Sequence, residues 1–222
     1  MGTLYLVRHG QASFGSDDYD RLSDLGARQC EALGAWLHER GRRFEGVVRG
    51  TLRRHAQSLD AIARALPGLP EAIEMPGLNE YDSEAVVRAV FQGELPPPLD
   101  PAAYRQHFRL LREGLLAWME GRARPAGMPS WRGWQDGIEA ALTLVRERFA
   151  GDVLLVSSGG PIATAVAQVL QAPPASVVEL NLRIRNSALT EFVFTPKRHA
   201  LSVFNAVPHL DHPERAGWVT YA

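Results

Sequence analysis

The first apolar run of the chain lies at its start. Thr3–Val7 is mostly apolar, β-branched or aromatic, and a short run of this kind predicts a buried strand. Arg8, His9 and Gly10 follow it directly. Ligands of open α/β sheets bind where strands end at their carboxyl side, so this tripeptide is a candidate site. Solvated polar residues at an ordinary strand end are the alternative interpretation.

Further apolar runs alternate with segments of helical periodicity. Ser23 predicts an N-cap for the helix that follows it, and Thr51 predicts one for a helix that ends near Leu66. A third helix is predicted after Gly159. The strands predicted beside these helices are Gly46–Gly50, Ala72–Met75 and Asp152–Val156. This alternation predicts an α/β protein with a mostly parallel sheet.

The pattern changes between about residues 81 and 150. No run there predicts a strand, and helical segments are broken at Leu95–Pro98 and in the Gly- and Pro-rich run 124–129. We interpret this stretch as a helical cap insertion within a single domain that spans residues 1–222. Three tryptophans of this region are expected to pack in the core: Trp118, Trp131 and Trp134.

The last part of the chain predicts a hairpin. Ala188–Phe194 and Leu201–Phe204 have the composition of strands, and Pro196–Arg198 lies between them as a turn. Two strands joined so closely pair in antiparallel fashion. We therefore expect one edge of the sheet to be antiparallel.

The composition is that of a soluble globular protein. A formal net charge of −1 provides no overall field that recruits nucleic acid or a membrane surface, so neither is an expected partner. The single cysteine, Cys30, excludes an internal disulfide and fits a reducing cytoplasm. No signal peptide is recognisable, because the chain begins directly with the first predicted strand. We expect a cytoplasmic protein, and the sequence leaves monomer and homodimer equally open.

Three predicted strands end in polar groups that suit an anion. These groups lie in Arg8–Gly10, Thr51–Arg54 and Ser157–Gly160. The carboxyl ends of parallel strands meet at one edge of a sheet, so two arginines, an imidazole and helix N-terminal amides converge there. Glu80 follows the third strand and adds a carboxylate. Together these groups predict a phosphate-ester site.

The ordered set of segments resembles the histidine phosphatase superfamily, also called the phosphoglycerate mutase-like family. Leu6–Ser13 is similar to the family signature around its Arg-His-Gly tripeptide. The later segments that match in order are Leu22–Gln29, Thr51–Ser58, Leu78–Glu80 and Val156–Gly160. The resemblance covers the whole chain apart from the helical insertion. It implies a three-layer α/β/α sandwich with about six strands, mostly parallel, in the central sheet.

The resemblance also implies a metal-independent phosphatase that works through a phosphohistidine on His9. Arg8 and Arg54 would hold the phosphoryl oxygens, and Glu80 would act first as general acid and then as general base. The substrate-binding residues that it implies are Gly10, Gln11, Ser13, Ser158 and Gly159. It implies no cofactor and no metal ligand, and the expected substrate is a small phosphorylated metabolite.

Two departures from the family pattern keep other functions open. Ser158 stands where the family normally has a second histidine, and a serine hydroxyl donates a hydrogen bond without carrying charge. This leaves a noncatalytic or weakly active phosphoester-binding protein as an alternative. Ala12 and Gly15 stand where mutases have a threonine or serine and an asparagine, which favours a phosphatase over a phosphoglycerate mutase-type phosphotransferase. His209, after the last predicted strand, is a further candidate to reach the site.

Overall fold

A six-stranded sheet organises the computed structural model, which describes residues 1–13, 20–93 and 101–221. Gly15 and the predicted break at Leu95–Pro98 lie outside the described residues. The strands are β1 (Gly2–Arg8), β2 (Gly46–Arg49), β3 (Ala72–Glu74), β4 (Val153–Ser157), β5 (Leu189–Thr195) and β6 (Arg198–Ala206). Each of them overlaps a predicted strand, and β6 is longer at both ends than predicted.

The strand order is β3-β2-β4-β1-β5-β6. The first four strands of this order are parallel, β5 is antiparallel to β1, and β6 is antiparallel to β5. This confirms the mostly parallel sheet with a hairpin at one edge. The pairing of β1 with β4 places Arg8 opposite Ser157, so the polar groups that follow both strands begin at the same level.

Seven α-helices connect or cover the described strands. They are α1 (Asp24–Glu39), α2 (Arg53–Ala65), α3 (Ser83–Arg88), α4 (Pro101–Met119), α5 (Trp131–Arg148), α6 (Gly159–Leu170) and α7 (Pro174–Asn181). The helix α7 is not predicted from the sequence, because the consecutive prolines at its start resemble a helix break. Pro174 instead occupies the first helical position, where its missing N–H costs nothing. No helix among the described residues is long and apolar enough to cross a bilayer.

The side chains of β1 alternate between two hydrophobic layers. Tyr5 and Val7 pack in a cluster with residues of α1 and α2, such as Leu33 and Ile62. Leu4 and Leu6 pack on the opposite face, in a cluster with residues of α5 and α6. Because successive side chains of a strand point to opposite faces, a run that is apolar throughout requires cover on both sides. The result is the α/β/α sandwich that the sequence analysis predicted.

The start of α2 differs from the prediction in its capping. Ser23 caps α1 as predicted, since its hydroxyl accepts from the N–H of Gly26. The prediction that Thr51 caps α2 is wrong. The carboxylate of Asp20, from a distant part of the chain, accepts from the backbone N–H groups of Arg53 at 2.8 Å and Arg54 at 3.4 Å. A tertiary contact has replaced the local cap.

The helices between residues 81 and 150 belong to two environments. α3 and α4 pack against each other, and α4 also packs against α7. α5 instead lies on the sheet, where Ile138 and Leu142 join the cluster that contains Leu6 and Leu155. The three tryptophans pack together as expected, with 5.5 Å between the ring centroids of Trp118 and Trp134. The extent of a cap insertion stays a prediction, and α5 lies in the layer that covers the sheet.

The close approach of α1 and α2 yields a stability prediction. A Cβ at Gly34 would lie 2.3 Å from the backbone oxygen of Ile62, so an alanine there forces the two helices apart. We expect Gly34→Ala to lower the free energy of unfolding by about 1–3 kcal/mol, measured by urea denaturation.

Gly133→Ala is the matched control for this prediction. Gly133 also lies in a helix, but the nearest atom to a Cβ there is 3.4 Å away, at ordinary contact distance. Alanine is the better helix former, so this variant should be neutral or more stable by up to about 1 kcal/mol. Equal effects of the two substitutions would contradict the steric explanation.

Candidate active site

The carboxyl end of β1 delivers His9 into a buried position. The His9 N–H donates to the carbonyl of Ser157 at the end of β4, with 2.9 Å between the two atoms. Its own carbonyl accepts from the N–H of Ser187 at 3.2 Å. The side chain is 3% exposed. The backbone of His9 is therefore fixed on both sides by neighbouring strands and their loops.

A single hydrogen bond sets the tautomer of the His9 ring. Nδ1 lies 2.7 Å from the carbonyl oxygen of Gly10. A carbonyl only accepts, so Nδ1 carries the hydrogen and Nε2 keeps its lone pair. Burial, followed by the positive charges of Arg8 and Arg54, holds the pKa of His9 well below its ordinary value. At neutral pH the ring is uncharged and nucleophilic at Nε2.

Two buried arginines lie close enough to this imidazole for their charges to act on it. The guanidinium of Arg8 donates to the carbonyl of Ile184, and that of Arg54 donates to the carboxylate of Asp20 at 2.8 Å. Both lower the pKa of His9, and both oppose the rise in the pKa of Glu80, so their charges act on the same small volume. Arginine forks in a buried site suit the oxygens of a phosphoryl group.

Glu80 lies at the start of α6 rather than in open solvent. Its carboxylate accepts from the N–H of Gly160, with Oε1 at 3.1 Å and Oε2 at 3.2 Å. Burial raises the pKa of this carboxyl, against the smaller opposing effects of Arg54, of the Gly160 bond and of Arg8. The sequence predicted that amides at this helix N-terminus bind a phosphate. The amide of Gly160 instead donates to the Glu80 carboxylate.

Ser158 is paired with a residue that the sequence analysis did not single out. Its Oγ lies 2.7 Å from Nε2 of His55, and both residues are 0% exposed. The His55 ring centroid lies 5.8 Å from that of His9. Burial and then the charge of Arg54 lower the pKa of His55 to about 3. The signal that could have identified it is its spacing, because His55, Ser58 and Ile62 share the inward face of α2.

Two of the predicted binding residues, Gly10 and Gln11, lie on the loop after β1. The N–H of Gly10 donates to Ser58 Oγ at 3.1 Å, and the N–H of Gln11 donates to Gln29 Oε1 at 2.9 Å. The side chain of Gln11 accepts from the Ser23 hydroxyl. A Cβ at position 10 would lie 2.2 Å from the backbone oxygen of Gly26, which explains why a glycine stands there. The loop is therefore bound to α1 and α2.

Two other predicted residues have backbone or neighbouring contacts of their own. The N–H of Ser13 donates to the carbonyl of Arg21 at 2.8 Å. A Cβ at Gly159 would lie 2.6 Å from Oδ1 of Asn181, so the start of α6 passes close to the end of α7. These contacts fix the backbone of both residues at the edge of the site.

His209 lies beside the backbone that holds His9. Its Nε2 is 2.8 Å from Oγ of Ser187, the residue whose N–H donates to the His9 carbonyl. Burial and then Arg215 lower the pKa of His209 to about 3. The structure thus assigns it a contact with the loop before β5. Across ranges 1–13, 20–93 and 101–221, no three His, Cys, Asp or Glu side chains are grouped as metal ligands.

Comparison with curated proteins gives distant relatives. The mitochondrial serine/threonine-protein phosphatase Pgam5 of Caenorhabditis briggsae is 25% identical over 202 residues, which cover 88% of this chain and 59% of that protein. Its counterpart in Drosophila yakuba is 30% identical over 117 residues, or 50% of this chain and 36% of that protein. The chain thus spans about three fifths of the length of the first of these relatives.

Solved structures share the fold. Phosphoserine phosphatase from Entamoeba histolytica, in complex with 3-phosphoglyceric acid, superposes with a TM-score of 0.66 at 20% identity, over 95% of this chain and 100% of that one. Phosphoglycerate mutase from Bacillus anthracis str. Sterne superposes with a TM-score of 0.65 at 17% identity, over 94% of each chain. At these identities the likeness concerns the fold alone.

A family model covers nearly the whole chain. The model of the histidine phosphatase superfamily (branch 1) matches residues 4–207. The matched range begins in β1 and ends just after β6, so it includes the whole sheet from Leu4 onward and the site residues from Arg8 to Ser187, whereas His209 lies just beyond it. By this match, and with the resemblance of its sequence segments confirmed, the chain belongs to the histidine phosphatase superfamily.

Proposed function

We propose that this protein is a metal-independent phosphatase that hydrolyses a small phosphomonoester through a phosphohistidine on His9. The observation that carries the proposal is the state of His9. It is a neutral, buried imidazole with Nδ1 bound to the Gly10 carbonyl, and it lies within the field of two guanidinium groups. Such a ring is a nucleophile directed toward a volume that attracts a phosphate dianion.

The first step transfers the phosphoryl group to the enzyme. The Nε2 lone pair attacks phosphorus, so a P–N bond forms as the P–O bond to the leaving alcohol breaks. Arg8 and Arg54 stabilise the charge on the phosphoryl oxygens during this displacement. Glu80, whose acid form is favoured because burial raises its pKa, gives its proton to the leaving oxygen. The alcohol departs neutral, and a phosphohistidine and a Glu80 carboxylate remain.

The second step returns the enzyme to its starting state. A water molecule attacks the phosphohistidine, and the Glu80 carboxylate takes the proton of that water. The P–N bond breaks, inorganic phosphate forms, and His9 regains its lone pair. One carboxyl group thus serves as acid and then as base, which requires a pKa near the working pH. A raised pKa of Glu80 supports this double role.

A cleft beside Glu80 supports a small leaving group. It has a volume of about 280 Å³ and is lined by residues that include Asn79, Glu80, Tyr81 and Trp134. We therefore keep a small phosphorylated metabolite as the expected substrate. We also keep the expectation that the protein acts in a reducing compartment such as the cytoplasm. The curated relatives are named as serine/threonine-protein phosphatases, so a substrate screen should also include a phosphoserine peptide.

Substitution of His9 tests the covalent step. We expect His9→Ala to lose more than about 1,000-fold in kcat on an aryl phosphate assayed with a chelator present, because the nucleophile is gone. The wild-type protein mixed with excess substrate should trap one acid-labile phosphoryl group per chain, detected by phosphorus NMR, and the variant should trap none.

The alternatives give different results in the same experiment. A noncatalytic phosphoester-binding protein would bind inorganic phosphate in both forms and trap no phosphoryl group in either. A mutase-type phosphotransferase would return an isomer of the substrate instead of free phosphate. Either result would contradict the phosphatase proposal.

Substitution of Glu80 tests the proton transfer through the leaving group. A nitrophenolate is a stable anion that departs without a proton, whereas an alkoxide needs one. We expect Glu80→Gln to slow phosphoenzyme formation from an alkyl phosphate by about 100- to 10,000-fold, and from a nitrophenyl phosphate far less. Rapid-quench measurement of the two rates gives the comparison.

The matched control is Glu84→Gln, which removes an exposed carboxylate on α3. It should leave both rates unchanged.

In the wild type, the alkyl phosphate rate should also fall as the pH rises through the raised pKa of Glu80, because the acid form disappears, and Glu80→Gln should lack this fall. Equal losses on both substrates would exclude Glu80 as the acid.

A further inference from the structure

His55 is a buried titratable group that the proposed mechanism leaves unused. It lies in the first turn of α2, directly after Arg54, and is 0% exposed. Its Nε2 lies 2.7 Å from Oγ of Ser158, in the link between β4 and α6. Burying an imidazole and a hydroxyl costs free energy unless both groups make hydrogen bonds. The presence of this buried pair therefore needs a structural or a functional reason.

The pair lies in the wall of the candidate site. The ring centroids of His55 and His9 are 5.8 Å apart. Ser158 follows Ser157, whose carbonyl accepts the backbone N–H of His9. The charge of Arg54 lowers the pKa of both imidazoles, so the two rings share one electrostatic environment. A phosphoryl group bound between His9 and the two arginines would face this wall.

The pairing of His55 with Ser158 determines to which group the Ser158 hydroxyl donates its hydrogen. A hydroxyl has one hydrogen to donate. If Ser158 donates it to His55, none is left for a ligand; if the His55 Nε2–H donates to Ser158 Oγ, the hydroxyl hydrogen turns toward the site. The pKa of about 3 keeps His55 neutral, so only one ring nitrogen carries hydrogen.

The surroundings of Nδ1 favour one tautomer. Nδ1 makes no well-formed hydrogen bond with the residues that the structure describes, although the backbone of Gly50 lies beside it and slightly opposes the fall in the His55 pKa. It lies against Gly50, where a Cβ would be 2.2 Å away, so no larger residue fits there. A hydrogen on Nδ1 would have only the Gly50 backbone, with which it makes no well-formed hydrogen bond, whereas a hydrogen on Nε2 has Ser158 Oγ at 2.7 Å as its acceptor. The hydrogen therefore belongs on Nε2.

We infer that His55 is a positioning residue for the phosphoryl group: its Nε2–H donates to Ser158 Oγ, and the Ser158 hydroxyl thereby donates to a phosphoryl oxygen. Ser158 makes the contact with the ligand, and His55 acts through it. The inference rests on the proposed function only for the nature of the ligand, since it requires a phosphoryl group in the site but no turnover.

A double-mutant cycle on the affinity for inorganic phosphate tests the inference. Calorimetry gives the Kd of the wild type, Ser158→Ala, His55→Leu and the double variant. A hydrogen bond to a charged group corresponds to about a tenfold or larger change in affinity, so each single variant should bind phosphate about tenfold more weakly. The double variant should be no weaker than Ser158→Ala, because the two residues form one unit.

Two further variants separate positioning from simple packing. His55→Gln places an amide N–H near the position of Nε2 and should restore most of the affinity that His55→Leu loses. His199→Leu is the matched control, since His199 is also a buried histidine, on β6, without a hydrogen-bond partner among the described residues. It should leave phosphate binding unchanged.

Nitrogen NMR of the ¹⁵N-labelled wild type covers the case in which a variant fails to fold. The His55 ring should carry its hydrogen on Nε2, and phosphate should shift that resonance. A hydrogen on Nδ1, additive losses in the cycle, or equal affinities of the Gln and Leu variants would overturn the inference. A wild type that shows coupled phosphate binding but traps no phosphoryl group would contradict the proposed function and leave the role of His55 intact.

Discussion

The parallel pairing of β1 with β4 is the constraint on which the site depends. It places Arg8 opposite Ser157 and lets the Ser157 carbonyl take the backbone N–H of His9. Because parallel neighbours end at the same edge of a sheet, the residues after both strands share one volume. Arg54, at the start of α2, and Glu80, after β3, reach the same volume because β2 and β3 continue the parallel order. A slip in this pairing would separate His9 from the α6 side of the site.

Burial of several charged groups in this volume determines their chemistry. Burial, together with the same two arginines that suit an anion, keeps His9 neutral, since a third positive charge beside them is unfavourable. Burial has the opposite effect on Glu80 and favours its protonated form. The two shifts favour a neutral base and a protonated acid at one pH, which is the combination that the proposed displacement requires. The site contains opposed pKa shifts because its groups share a poorly solvated environment.

The pairing of His55 with Ser158 changes the meaning of a departure from the family pattern. The family normally has a second histidine at the position of Ser158, and its replacement in this chain suggests a weakened site. The structure places an imidazole from α2 against that serine, 2.7 Å from its hydroxyl. An imidazole is therefore retained in the wall of the site, although it comes from another element, and in our proposal it acts on a ligand through a hydroxyl.

The sequence by itself determined the strands, most of the helices, and the positions of His9, Arg8, Arg54 and Glu80, because apolar runs and the residues that end them are local properties. Tertiary structure alone decided the contacts between distant segments. Asp20 caps α2 across 33 residues, and His55 meets Ser158 across 103 residues. No local pattern encodes such pairs, since they depend on which strands become neighbours in the sheet. The tautomer and the pKa of each buried group follow from those neighbours, so the chemistry of the site was settled only when the chain folded.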